Sequence, residues 1–80
     1  MDFGERVKKA IDHSGKLQRE VAEDSGLSEA TLRNWKRRDD LPARHGRVSR
    51  KTKKSVEDVA TACGVRPDWL LNDDGEMERN

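Results

Sequence analysis

The sequence predicts an all-α fold, a compact domain of four to five short helices. Three observations carry that expectation. Apolar residues recur at a period near 3.6, which lays them along one stripe of a helix. Gly15, Gly26, Pro42, Gly46, Gly64 and Pro67 interrupt those stripes, so each one is short. Asp2, Ser28 and Ser49, whose side chains suit helix caps, stand directly before three of them.

The first helix is expected from Phe3 to His13. Asp2 stands at its N-cap with Glu5 three residues on, the spacing of a capping box. Phe3, Val7, Ala10 and Ile11 share one stripe, and Gly15 supplies the left-handed stop. A second helix should span Leu17 to Asp24, with Leu17, Val21 and Ala22 facing inward, until Gly26 breaks it. Ser28 caps a third that should reach Arg37. At 100° per residue, Thr31, Leu32 and Trp35 cluster on one side of it, while Glu29, Ala30, Arg33, Asn34 and Arg37 fill the other. One face is apolar; the opposite face is short, polar and cationic.

Asp39-Asp40-Leu41-Pro42 should end this helix, because proline disfavours helix at the residue before it. Ala43 to Val48 reads as an irregular loop. Ser49 begins a fourth helix that reaches Cys63 along the stripe Val56, Val59, Ala60 and Cys63, and Gly64 closes it. Pro67 opens a short fifth through Leu71, with Trp69, Leu70 and Leu71 apolar. The domain is therefore expected over residues 1–71, followed by an acidic, flexible tail at 72–80.

Eighty residues leave room for one small domain and exclude a multidomain enzyme. Charged residues make up 41% of the chain and hydrophobic ones 31%, so the core must be thin. The net charge of +1 lacks the imbalance of a disordered chain. It also conceals an uneven distribution. Residues 38–55 hold seven Lys and Arg against Asp39 and Asp40, whereas residues 56–80 hold seven acids against two bases. From Arg33 to Lys54 ten basic residues face two acidic ones, which points to a polyanionic partner. No apolar run approaches a membrane span, and no signal-peptide core follows Met1. Cys63, being the lone cysteine, makes no internal disulfide, and a reducing cytoplasm is the expected location.

Residues 18–37 have the form and length of a helix-turn-helix, whose second helix enters the major groove of DNA. Each key position has a physical reason. Ala22 is small where two helices cross closely, and Gly26 allows the positive φ of the turn. Val21, Leu27, Leu32 and Trp35 form the wedge that fixes the crossing angle.

With these residues in place, the sequence resembles the phage-repressor (Cro/repressor-like, lambda-repressor-type) helix-turn-helix family. The resemblance covers roughly residues 5–75 and rests on Gln18, Ala22, Gly26-Leu27-Ser28, Leu32 with Trp35, Leu41-Pro42 and the closing Cys63–Leu71. It implies a five-helix DNA-binding domain and sequence-specific transcriptional control, by a dimer on a palindromic operator. It further implies that Gln18 touches a phosphate and that Ser28, Glu29, Ala30, Arg33 and Asn34 approach bases within recognition helix 28–37.

Side-chain chemistry leads the same way. An arginine donates two hydrogen bonds to guanine O6 and N7, as Arg33 would, and an asparagine pairs with adenine N6 and N7, as Asn34 would. Glu29 suits cytosine N4, although an acid at a helix N-terminus also serves the macrodipole. Arg37, Arg38, Arg44, Arg47, Arg50, Lys51, Lys53 and Lys54 form the group expected to neutralise phosphates.

Other chemistries fare worse. His13, His45 and Cys63 show no metal-ligand spacing, so neither metal nor cofactor is expected. Trp35 and Trp69 suit core anchors better than stacking platforms, and Cys63 suits the core. There is no glycine-rich phosphate cradle and no nucleophile with an evident base, so an enzyme is not expected. Three readings remain. The first is a phage or prophage repressor, homodimeric at least on double-stranded DNA and nucleoid-associated in a bacterial cytoplasm. The second is an antitoxin-like autoregulator that also binds a protein toxin through its acidic tail. The third is an adaptor that uses the same scaffold without DNA.

Overall fold

Asp2 starts the first helix: its Oδ1 accepts the Glu5 amide N–H at 2.9 Å. That helix, α1, covers Phe3–Ser14 and ends on Gly15 in the left-handed region. The computed structural model describes residues 1–41 and 47–77. Over these it is all-helical, adding α2 (Gln18–Asp24), α3 (Glu29–Trp35), α4 (Arg50–Cys63) and α5 (Pro67–Asn72). The loop expected at 43–48 lies largely outside the described residues, and Arg44 lies wholly outside them.

Between α2 and α3 the chain turns over Ser25–Ser28. Gly26 takes φ 69°, its N–H reaches the Glu23 carbonyl at 3.1 Å, and Leu27 N–H reaches the Ala22 carbonyl at 2.8 Å. This paired closure engages two of the carbonyls in the last turn of α2 and brings Leu27 back toward Ala22. Ser25 is buried, and its hydroxyl donates to the Val21 carbonyl at 2.7 Å, so burial leaves it no unmet bond. Ser28 then caps α3, its Oγ accepting the Thr31 N–H at 3.2 Å. Ser49 does the same for Thr52 at the head of α4, at 3.1 Å.

The core is one cluster. Phe3, Val7, Ala10 and Ile11 of α1 meet Val21 and Ala22 of α2, Leu32 and Trp35 of α3, the Val56–Cys63 stripe of α4, and Trp69–Leu71 of α5. Helix α4 packs against α1, α2 and α5, and α3 against α1 and α2. Phe3 and Trp35 meet with ring centroids 5.7 Å apart at a tilt of 57°, one of the favourable aromatic geometries.

Three differences from the sequence reading, and one buried residue on which it made no assignment, have physical causes. Helix α3 ends at Trp35, short of Arg37, because Arg37 and Arg38 donate back three residues, to Asn34 and Trp35, in a tighter turn. Leu17, expected to face inward, is the N-cap of α2 and is 59% exposed. Its side chain has no acceptor, and the Glu20 carboxylate takes up its N–H instead, at 3.2 Å. Residues 72–77 do not lead straight away from the domain: Met77 packs against the core and its carbonyl accepts Arg66 N–H at 2.9 Å. Arg6 lies in the core stripe and is buried, donating to the carbonyls of Met1, Leu70 and Leu71.

The start of α1 also anchors the end of α3. Phe3 N–H donates to the Asp39 carbonyl at 3.0 Å and Gly4 N–H to the Arg38 carbonyl at 2.8 Å. The free donors of one helix N-terminus thus hold the chain that leaves another.

Candidate nucleic-acid interface

The two faces of α3 separate cleanly. Leu32 is fully buried and Trp35 is 6% exposed, whereas Glu29, Ala30, Arg33 and Asn34 are all exposed. The buried pair fixes the rotation of the helix about its own axis, so the polar residues have only solvent to face. Glu29 Oε1 and Arg33 Nη2 lie 3.7 Å apart, one turn from each other. At that exposure their attraction is weak, and both remain available to a partner. Ser28 is exposed too, but its hydroxyl is engaged: it caps Thr31 N–H and lies 2.8 Å from Thr31 Oγ1.

Beyond Trp35 the cationic surface continues. Arg33, Arg37 and Arg38 border a shallow cleft between the end of α3 and the start of α1, shared with Lys36 and with Asp2 and Glu5. Arg38 is tethered by its Nε to the Asp40 carbonyl at 3.4 Å. A cleft bounded by charges suits an ionic partner better than a small apolar ligand.

A second cationic group sits on α4. Arg47 precedes it, and Arg50, Lys51, Lys53 and Lys54 are exposed on its first turns. No acid stands in that first turn. The N-terminus of a helix carries partial positive charge and ordinarily favours acids. Four cations there oppose the local rule, a departure typical of a surface shaped by a partner. Among the described residues α3 does not pack extensively against α4.

Gln18 stands at the first position of α2 and is half-buried. Its Oε1 accepts a hydrogen bond from Lys36 Nζ at 2.6 Å. Sequence reasoning passed over Lys36, since a lysine outside both the apolar stripe and the polar arc carries no signal of its own. Only the packing of α2 on α3 brings the two together.

The described residues contain no group of three His, Cys, Asp or Glu able to hold a metal ion, and no helix long and apolar enough to cross a membrane.

An all-helical domain with two short helices, a closed turn between them and an outward polar face on the second has the form of a small helix-turn-helix domain. In sequence, the chain is similar to the repressor protein CI of Enterobacteria phage phi80, 29% identical over 78 residues. That alignment takes in 98% of this chain but 29% of the phage protein, so the chain spans less than a third of the relative's length. The chain matches no protein-family model and no solved structure.

Proposed function

We propose that this chain is a sequence-specific double-stranded DNA-binding regulator of transcription, a phage-type repressor that inserts residues 28–37 into the major groove of a palindromic operator. The similarity to a phage repressor protein supports the class. The observation that carries the mechanism is the division of α3, with Leu32 and Trp35 turned inward and Arg33 and Asn34 outward.

In this reading Arg33 reads guanine, Asn34 reads adenine, and Glu29 accepts from cytosine. Ala30 offers a methyl group where close approach to a base edge is needed. Ser28 acts first as a cap, placing the residues after it. Gln18, Arg37, Arg38, Arg47, Arg50, Lys51, Lys53 and Lys54 position the protein on phosphates, contacts that set register without reading sequence. Arg44 belongs to the same cationic group by sequence alone. Two copies bind together on the operator, which is what a palindromic site requires.

Random-site selection on duplex DNA, followed by anisotropy titration at two salt concentrations, tests this. The expected result is a motif with dyad symmetry and an affinity that falls steeply with salt. Absence of duplex binding at low salt would overturn the proposal.

A further inference from the structure

We infer that Lys36 is a positioning residue, which holds the side-chain amide of Gln18 so that its NH₂ group alone is presented to a DNA phosphate. The inference rests on the DNA-binding reading above and assigns a role to a residue that lies outside the base-reading arc.

The chemistry of the pair decides the orientation. A lysine ammonium has three donors and no acceptor, so the Gln18 atom 2.6 Å from Lys36 Nζ is its oxygen. The remaining half of the amide is NH₂, which only donates. A donor-only group at the head of α2 suits an acceptor-only partner, and a phosphate oxygen is one. The ammonium also draws charge from the amide oxygen, which strengthens the N–H groups as donors. Both residues are half-buried, so packing restricts the rotamers that would otherwise turn the amide over. Without Lys36, Gln18 would be free to present either end, and the oxygen end repels phosphate.

Geometry gives the pair a second consequence. Gln18 begins α2 and Lys36 follows directly on α3, so the bond ties the two ends of the proposed reading unit. The phosphate contact and the recognition helix then move as one body. Lys36 spends an N–H donor on Gln18 and need not touch the DNA.

A double-mutant cycle in the 80-residue chain tests this, using Lys36→Met, Gln18→Ala and the double variant. The probe is a random-sequence duplex at low salt, because a phosphate contact needs no operator. Each single variant should lose about tenfold in affinity, and the double should lose no more than the worse single. The slope of log affinity against log salt should stay near the parent's in all three, because the shared contact is a neutral amide that releases no counterion. Melting midpoints should stay close to the parent, since methionine keeps the lysine stem as cover. Losses that multiply, with a slope flattened by about 0.9 in Lys36→Met, would mean that Lys36 meets a phosphate on its own, and would overturn the inference alone. A parent protein that binds no duplex would overturn the DNA-binding reading, and this inference with it.

Discussion

Arg6 Nε donates to the carbonyl oxygen of Leu70 at 3.1 Å, joining the first turns of α1 to the last turn of α5. The same guanidinium reaches the Leu71 carbonyl at 3.3 Å and the Met1 carbonyl at 2.8 Å, and lies 5.9 Å from the centre of the Phe3 ring. Carbonyls at the end of a helix lack partners within it and carry partial negative charge. A buried arginine supplies both the donors and the countercharge. Arg6→Ala should therefore cost about 2–4 kcal/mol, from lost packing of the stem and two buried carbonyls left unmet. Arg6→Lys should rescue little, because an ammonium lacks the planar fork that reaches several acceptors at once. Urea denaturation reads the loss, and an unchanged midpoint in Arg6→Ala would show that those carbonyls find water instead.

Two glycines should fail for different reasons. A Cβ on Gly4 would lie 2.6 Å from the backbone oxygens of both Arg38 and Lys36, so Gly4→Ala must push the end of α3 away from α1. A loss of about 1–3 kcal/mol is expected, accompanied by weaker duplex binding as Arg37 and Arg38 shift. Gly26 has open space around it, and its constraint is the φ of 69° alone. Gly26→Val should cost about 1–2 kcal/mol, while Gly26→Asn, which tolerates that region, should cost much less. Melting midpoints separate the two. Equal losses for Val and Asn at position 26 would count against a torsional cause.

These cases mark the limit of what the sequence discloses. The caps at Asp2, Ser28 and Ser49, the stop at Gly64 and the opening at Pro67 were legible because each bond spans only a few residues. The inward set Leu32 and Trp35 was legible because a helix has a fixed period. Arg6 sits on the α1 stripe, yet its charge kept it out of the expected core; two of its three acceptors lie more than 60 residues away. Gly4 fell in a helix where glycine has no local purpose, and its reason is the backbone of another segment. The Lys36 bond to Gln18 and the return of Met77 to the core are likewise long-range. The outward polar face was readable from periodicity, but the coupling behind it was not.

Burial pushes the Cys63 thiol up to about 11, against the smaller opposing effects of nearby Lys16 and a hydrogen bond with Ser14. The fold thus favours the neutral thiol. Its contribution to stability is complete below the ordinary value of 9.0 and is lost as pH rises from there toward 11. Urea midpoints should fall across that interval, and Cys63→Ala should show a flatter decline. The thiolate is the reactive form, so alkylation of native protein near pH 8 should be slow and should accelerate on unfolding. Equal labelling rates with and without denaturant would contradict a buried neutral thiol.

Arg33→Ala and Lys53→Ala should differ in kind and not only in degree. Arg33 is exposed on the face of α3 opposite Leu32 and Trp35, where a fork of donors would meet a base edge. Removing it should cost about 1–3 kcal/mol on the selected site and relax preference at one base pair. Its loss also frees Glu29, which lay 3.7 Å away and whose uncompensated charge then opposes any duplex. Lys53 stands exposed on the cationic first turns of α4, a different helix. Its removal should weaken selected and random duplexes alike and flatten the salt slope by about 0.9. The comparison is therefore of ratios, the affinity for the selected site over that for random duplex, measured for each variant at one salt concentration. That ratio should drop for Arg33→Ala and hold for Lys53→Ala. If both variants leave it unchanged, α3 serves only to grip the backbone, and base reading must reside elsewhere in the chain.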